Sequence, residues 1–540
     1  MSRSETTAAR APATAATLQA ADPRGVLITA DRIVTLGHGR TEARALVVRD
    51  TRVAWVGDDP DAAPPHAQRV DLDGCTVGPA FVDAHVHLTP TGITLAGLDL
   101  TGVRSGAEML QQLRTYAEQH TGRVIWGHGY DEHAFPDALP DPDALAEAAQ
   151  GMPVFLTRAD GHSCLVDRGT LMSAPLARAD GVQRDADGAP TGVLKREANH
   201  IVRRWSVGAM TEVELHRARM LVTEHAARLG IGSVHEMGGP DIMGAADFDA
   251  WLEGSWPVEV VGYWGDADLG FVTRRELRQA GGDLFLDGSI GSHTAALTAP
   301  YADSDETGHL YFDDADLIEF FLEATRAGVQ VGVHAIGDAA IRQTVRCWLA
   351  VQAALPEYLA DDIQRLRHRI EHGEVLPPDL VDPIADLGLV MSVQPAFERI
   401  WGGPGGVYEA RLGERAGWSN PYRALADHGV ALAFGSDANV TPMDPWGVIH
   451  AGQHRRRPEH SLSRLEAVSA SCLGGRHAAR QERAVGVVRA GMRADLAAFE
   501  GDPYAANDPR GARCVLTLVR GHVAHGDAPL PSWTEWGSGS

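Results

Sequence analysis

An α/β fold is predicted here, a (β/α)₈ TIM barrel with a small β-sandwich domain built from both chain ends. Three observations lead to it. In the middle of the chain an amphipathic helix, a glycine and a short apolar strand recur in that order. Strand after strand then ends in a polar residue able to bind a metal. At both ends, short strands alternate with Gly, Asp and Pro turns and no helical stretch intervenes.

Residues 1–24 are rich in Ala, Thr and Arg and lack a continuous apolar core segment, so a disordered lead is expected and not a signal peptide. Residues 25–77 read as strands at 26–29, 33–36, 45–48 and 53–56. The same texture returns at 494–499 and 514–519, so residues 25–77 and 485–528 are expected to form one small β-domain. Residues 78–484 are left for the barrel and its insertions.

The barrel segment opens with Gly78-Pro79 and the apolar strand 81–85, which ends in His85-Val86-His87. Ser105 with Glu108, and Thr211 with Glu214, are capping boxes that start helices. Helices ending at Gly230, Gly328, Gly388 and Gly429 each lead straight into a strand. About eight barrel strands can be counted, near Val82, Phe155, Val234, Phe285, Val331, Arg369, Val393 and Ala433, with another near Ile125.

Composition narrows the function. A net charge of -24, from 48 basic and 72 acidic residues, argues against nucleic acid and anionic membranes as partners. No apolar run reaches the roughly 18 residues a membrane span needs. The five cysteines are scattered and form no C-x-x-C pair, which fits reduced thiols in the cytoplasm. The expected partner is a small-molecule substrate, and a homodimer is left open.

On a strand, residues i and i+2 share a face, so His85 and His87 point the same way and can hold a divalent ion between them. Other strands end in His235-Glu236, Asp287-Gly288-Ser289, His334, His372, Gln394 and Asp437. A single buried histidine is commonly a hydrogen-bonded core residue, the favoured reading for His235. The recurrence of His85, His87, His334, His372 and Asp437 is harder to explain by packing, because buried polar groups are costly unless paired or metal-bound.

Together these stretches resemble the amidohydrolase superfamily, in the branch that includes N-substituted formamide deformylases. The resemblance rests on Gly78 to His87, Asp160-Gly161-His162, Asp287 to Ser292, Val333 to Ala340, Arg367 to His372, Ser392 to Pro395, Phe434 to Asp437 and Gly491 to Leu496. It spans about Gly25 to His525. What it implies is a water activated by Zn²⁺, with Mn²⁺ or Fe²⁺ as alternatives, at the mouth of the barrel. His85, His87 and Asp437 would hold one ion; His334 and His372 would hold a second or serve the first. Asp437, His372 and His162 are the catalytic candidates: Asp437 takes the water's proton and His162 donates to the substrate carbonyl.

The sequence departs from that branch at one position, where a lysine that bridges two metals as its carbamate is common. Asp283 stands there. It could bridge metals directly, act behind the ligands of a one-metal site, or be a solvated carboxylate at a strand start. Lys195 is a weaker substitute carbamate donor. One tightly bound ion is expected, with a second weak or absent.

Trp126, Tyr130, Asp160, His162, Asp287 and Arg369 are candidate substrate contacts, with His128, Asp131, His293 and His309 behind them. For Trp126 and Tyr130, packing is the favoured reading. The expected activity is hydrolysis of a C–N bond in an amide, N-substituted formamide or cyclic amide. The rivals are deamination of a ring amino group and a metal-free binding protein that has lost catalysis.

Overall fold

The computed structural model of the protein describes residues 25–120, 122–132, 135–159, 161, 163–359 and 361–535. The expected disordered lead, Asp160 and His162 lie outside the described residues.

Eight parallel strands form the barrel: β1 Phe81–Val86, β2 Ile231–Gly238, β3 Glu259–Trp264, β4 Gln279–Ala280, β5 Gln330–Ala335, β6 Arg369–His372, β7 Val390–Val393 and β8 Ala431–Phe434. They neighbour one another in sequence order, and β1 pairs with β2. The remaining gap closes just beyond the ends of β1 and β8. There Asp437 N donates to His85 O (2.8 Å) and His87 N donates to Ala438 O (2.7 Å). Asp83 adds a staple, accepting from Ser436 N (2.9 Å) and Ser436 Oγ (2.6 Å).

The repeated helix–glycine–strand pattern produces this arrangement. Thr211 and Glu214 make the expected reciprocal cap on the helix Glu212–Arg228, and Gly230 then turns the chain into β2. Apolar faces of such helices pack on strands whose own residues are buried. The resulting core runs through Phe81, Val234, Phe321, Trp348, Ile370 and Val393.

Two of the expected barrel strands belong elsewhere. Ile125–Tyr130 and Val154–Arg158 lie in a separate six-stranded sheet between β1 and β2, where Val154–Arg158 pairs antiparallel with Ser163–Val166. Its own core includes Leu100, Leu113, Ile125, Leu145 and Leu156. An apolar run reads the same whether its sheet closes or not. A barrel strand that the sequence reading did not count, β3, ends at Trp264, with Gly265-Asp266 following it.

The small β-domain gathers both chain ends in one seven-stranded sheet. Val26–Val34, Glu42–Arg49, Arg52–Gly57 and Gln68–Pro79 join Leu496–Glu500, Cys514–Val519 and His522–His525. Val26, Ile28, Leu46, Val77, Val488, Leu496 and Leu516 fill its core. Among the described residues no helix is long and apolar enough to cross a membrane, and all five cysteines are buried free thiols.

Candidate metal centre

The C-terminal ends of β1, β4, β5, β6 and β8 meet at one point. Asp83, His85 and His87 alternate along one face of the first strand and its extension, and His334 ends the inward face that begins with Gln330 and Gly332. His372 falls out of step with Arg369 and Glu371, which share a face. A left-handed backbone at His372 (φ 67°) restores it, and Asp437 takes a similar conformation (φ 54°). Non-glycine residues held this way carry strain of order 1–3 kcal/mol each, and such strain clusters at functional sites.

Asp283 reaches the same point because β4 is cut short. Gly281 has φ +74°, and a Cβ there would lie 1.8 Å from the Gly332 carbonyl oxygen, so only glycine allows this turn. The carboxylate that follows sits among four imidazoles. Its Oδ1 is 3.5 Å from His85 Nε2, 3.5 Å from His334 Nδ1 and 3.4 Å from His372 Nε2, while Oδ2 is 3.1 Å from His87 Nε2. Asp437 Oδ1 lies 3.3 Å from His87 Nε2 and 3.7 Å from His85 Nε2. Asp283 is 4% exposed, which corrects the reading of it as a solvated strand-start carboxylate.

The outer nitrogen of each imidazole is tied down. His87 Nδ1 donates to Met237 O (3.0 Å) and His334 Nε2 to Gly288 O (3.2 Å). His85 Nδ1 donates to Glu371 Oε2 (2.9 Å) and His372 Nδ1 to Gln394 Oε1 (2.9 Å). With those protons placed outside, the four inner nitrogens present lone pairs to carboxylate oxygens. Lone pairs facing anions repel unless a cation lies between them. His85 Nε2, His334 Nδ1 and Asp437 Oδ1 are buried without a hydrogen-bond partner.

The separations fit an ion. Two ligands of one tetrahedral zinc-type ion, bonded at about 2.0–2.2 Å, stand roughly 3.4 Å apart, whereas a hydrogen bond sits near about 2.9 Å. Two donor sets gather with all their ligand atoms within 4.8 Å of one another: His85, His87 and Asp437, and His85, Asp283 and His372.

Electrostatics add that the carboxylates call for positive charge at this point. Burial works against charge on His85 and His87, but Asp283 and Asp437 outweigh it and favour a cationic form of both, a charge that an ion between the groups supplies in place of protons. Asp283 is likewise opposed by burial yet held well below the usual carboxylate range by His85, His334 and His372. The site thus demands positive charge. Glu236, buried on β2 and accepting from Leu88 N (2.7 Å), is pushed up by burial to about 8.

Arg369 and Asp287, two of the expected substrate contacts, are engaged within the protein, and Trp126 and Tyr130 pack as the favoured reading had it. Arg369 is 1% exposed and spends its donors inside the barrel, on Glu371, His235, Ala84 O and Ser392. Asp287 accepts from the backbone of Ala296, Ile336 and Gly337, which organises two loops instead of facing a ligand. Trp126 packs on Phe155 with ring centroids 4.4 Å apart, and Tyr130 is buried in the core of the inserted sheet. Asp131 pairs with Arg158, His293 pairs with Asp303, and His309 sits exposed against Tyr311. Lys195 is exposed at the end of an inserted-sheet strand.

Sequence reasoning missed Glu371 and gave Gln394 no role, although each accepts a hydrogen bond from one imidazole. The available signal was the i, i+2 spacing of Arg369 and Glu371 immediately before His372.

A parallel eight-stranded barrel with imidazoles and carboxylates gathered at the strand ends defines a metal-binding (β/α)₈ protein. Residues 68–525 match the Amidohydrolase family, and the chain belongs to that family. It is 27% identical over 502 residues to amidohydrolase YtcJ of Bacillus subtilis, covering 85% of this chain and 91% of that protein. Against the N-substituted formamide deformylase of Arthrobacter pascens it is 23% identical over 548 residues, covering 92% and 98%. Among solved structures, an uncharacterized metal-dependent hydrolase from Pyrococcus furiosus superposes with a TM-score of 0.73 at 26% identity, covering 89% of this chain and 99% of that one. Family membership, this likeness and the donor cluster together support a metal-dependent hydrolase.

Proposed function

We propose that the protein hydrolyses a C–N bond of an amide, N-substituted formamide or cyclic amide, yielding an amine and a carboxylate. The observation that carries the reading is the set of inward imidazole lone pairs around Asp283 and Asp437. The similarity to a formamide deformylase over nearly the whole chain supports the bond class.

His85, His87, Asp437, Asp283, His334 and His372 would hold a divalent ion, with Zn²⁺ the best match to their nitrogen and oxygen donors. Such an ion lowers the pKa of a bound water to about 7 and polarises a carbonyl. The two donor sets share the single inward nitrogen of His85, so both cannot be filled as they stand, which supports one tightly held ion per chain.

The chain's own residues do the rest. Asp437, through the carboxylate oxygen not turned toward the ion, accepts a proton from the attacking water and returns it to the departing nitrogen. A C–O bond forms as the C–N bond breaks, and the proton passes between them through one carboxylate. The buried imidazoles keep their orientation through Glu371, Gln394, Met237 O and Gly288 O.

The test is a screen of amides, formamides and cyclic amides with amine release as readout, run on metal-loaded and chelator-stripped protein alongside metal analysis. Activity lost on stripping and regained with Zn²⁺ or Mn²⁺, at one ion per chain, is the expected result. Undiminished activity in fully stripped protein would sink the proposal, and two ions at full occupancy would overturn the one-ion reading.

A further inference from the structure

Beneath the candidate centre runs a column of buried polar side chains that neither face the ion site nor move the proton. Arg369 lies inside the barrel, with Nε and Nη2 donating to the two oxygens of Glu371 at 2.7 and 2.8 Å. Its Nη1 donates to His235 Nδ1 (2.9 Å), and Nη2 also reaches Ala84 O (2.7 Å) and Ser392 Oγ (2.8 Å). Glu371 Oε2 then accepts from His85 Nδ1 at 2.9 Å. Arg369 and Glu371 are 1% and 0% exposed.

A pair serving only as core filler would need no third partner among the candidate ligands. Here the guanidinium is planar and forked, so it fixes the plane of the Glu371 carboxylate. That carboxylate is a pure acceptor, so it requires the proton of His85 on Nδ1 and leaves Nε2 bare toward Asp283 and Asp437. The barrel makes room for this. A Cβ on Gly332 would come within 3.0 Å of Glu371 Oε1.

We infer that Glu371, clamped by Arg369, is a positioning residue that sets which nitrogen of His85 faces the centre. It does not touch substrate. His235 completes the column by accepting from the far side of the same guanidinium. The inference rests on the metal reading given above, and the two can fail separately.

Zinc affinity measured by competition with a chromogenic chelator provides the test. Glu371→Gln keeps the shape but can offer an amide N–H to Nδ1, favouring the wrong tautomer. Its zinc affinity is expected to fall about 10- to 100-fold, the usual effect of losing such a supporting contact. Because the substitution leaves the Arg369 charge unpaired, Arg369→Met with Glu371→Gln is measured beside it; this double variant should recover thermal stability but not affinity. Parental affinity in either folded variant overturns the inference. Histidine-selective ¹⁵N NMR of the zinc-loaded unaltered protein reads the tautomer directly, with no folding effect to separate. His85 is expected to carry its proton on Nδ1, and a proton on Nε2 overturns the idea. If the unaltered protein takes up no zinc at all, it is the metal reading that fails.

Discussion

Asp283 Oδ2 lies 3.1 Å from His87 Nε2, although the two residues come from strands on different sides of the barrel. The contact gives the centre a side-chain carboxylate at the position where the sequence resemblance led to the expectation of a carbamylated lysine. A carboxylate needs no carbon dioxide to become a ligand, so metal loading should be indifferent to bicarbonate.

The first prediction concerns that carboxylate. Asp283→Asn removes the negative charge that faces four imidazoles, and Asp283→Ala removes the candidate ligand as well. Both should purify with far less than one ion per chain, and added bicarbonate should rescue neither. Metal analysis by mass spectrometry checks this, and full metal content in Asp283→Ala would contradict it.

For Asp437, the expected change is in the rate of the chemical step. General acid–base catalysis by one side chain contributes about 10²–10⁴-fold, so Asp437→Asn should lower kcat by a factor in that range. Its Oδ1 also stands 3.3 Å from His87 Nε2, so some loss of metal affinity accompanies the change. Assays at saturating metal separate the two effects. An unchanged kcat there would remove Asp437 from the mechanism.

Gly435 is a steric prediction. A Cβ at this position would lie 2.6 Å from His85 N and 2.8 Å from His85 Cβ, both parts of the strand that must close against β8. Gly435→Ala should therefore displace His85, at a cost of about 1–3 kcal/mol for overpacking. Lower Tm and weaker zinc binding should appear together. A variant with one effect and not the other would show that closure and ligand placement are separable.

At the opposite end of the barrel, Glu259 at the start of β3 pairs with Arg476, with Arg493 (2.6 Å) and with Arg520 (3.1 Å), tying the barrel to the small β-domain. Burial works against its charge, but the three guanidinium groups outweigh it and hold the carboxyl well below the usual range. Its pKa is thus depressed on folding from an unfolded value of about 4.3. The stabilisation is fully present above that value and is lost as pH falls below it toward the depressed folded value. Glu259→Gln should cost about 3–5 kcal/mol near neutral pH, as expected for breaking a buried ion pair. It should also flatten the acid side of the stability curve, which urea unfolding at several pH values would measure. An unchanged acid limb would show that Glu259 is not its source.

Local pattern announced the barrel, the strands at both chain ends that pair in one sheet, and the polar strand-end residues His85, His87, His334, His372 and Asp437 that the barrel brings together. Apolar periodicity, capping residues and helix-ending glycines are properties of neighbouring residues, and so is the i, i+2 pairing of His85 with His87. Which apolar run belongs to which sheet was not local. Val154–Arg158 and Glu259–Trp264 look alike as segments, and only long-range pairing sent one to the inserted sheet and the other to the barrel. The roles of Asp283, Arg369 and Asp287 were decided in the same way. A charged residue in a sequence can equally face water, a ligand or another charge, and the outcome depends on which distant groups the closed barrel brings up against it. For Asp283 those groups are four imidazoles, for Arg369 they are Glu371 and His235, and for Asp287 they are three backbone amides.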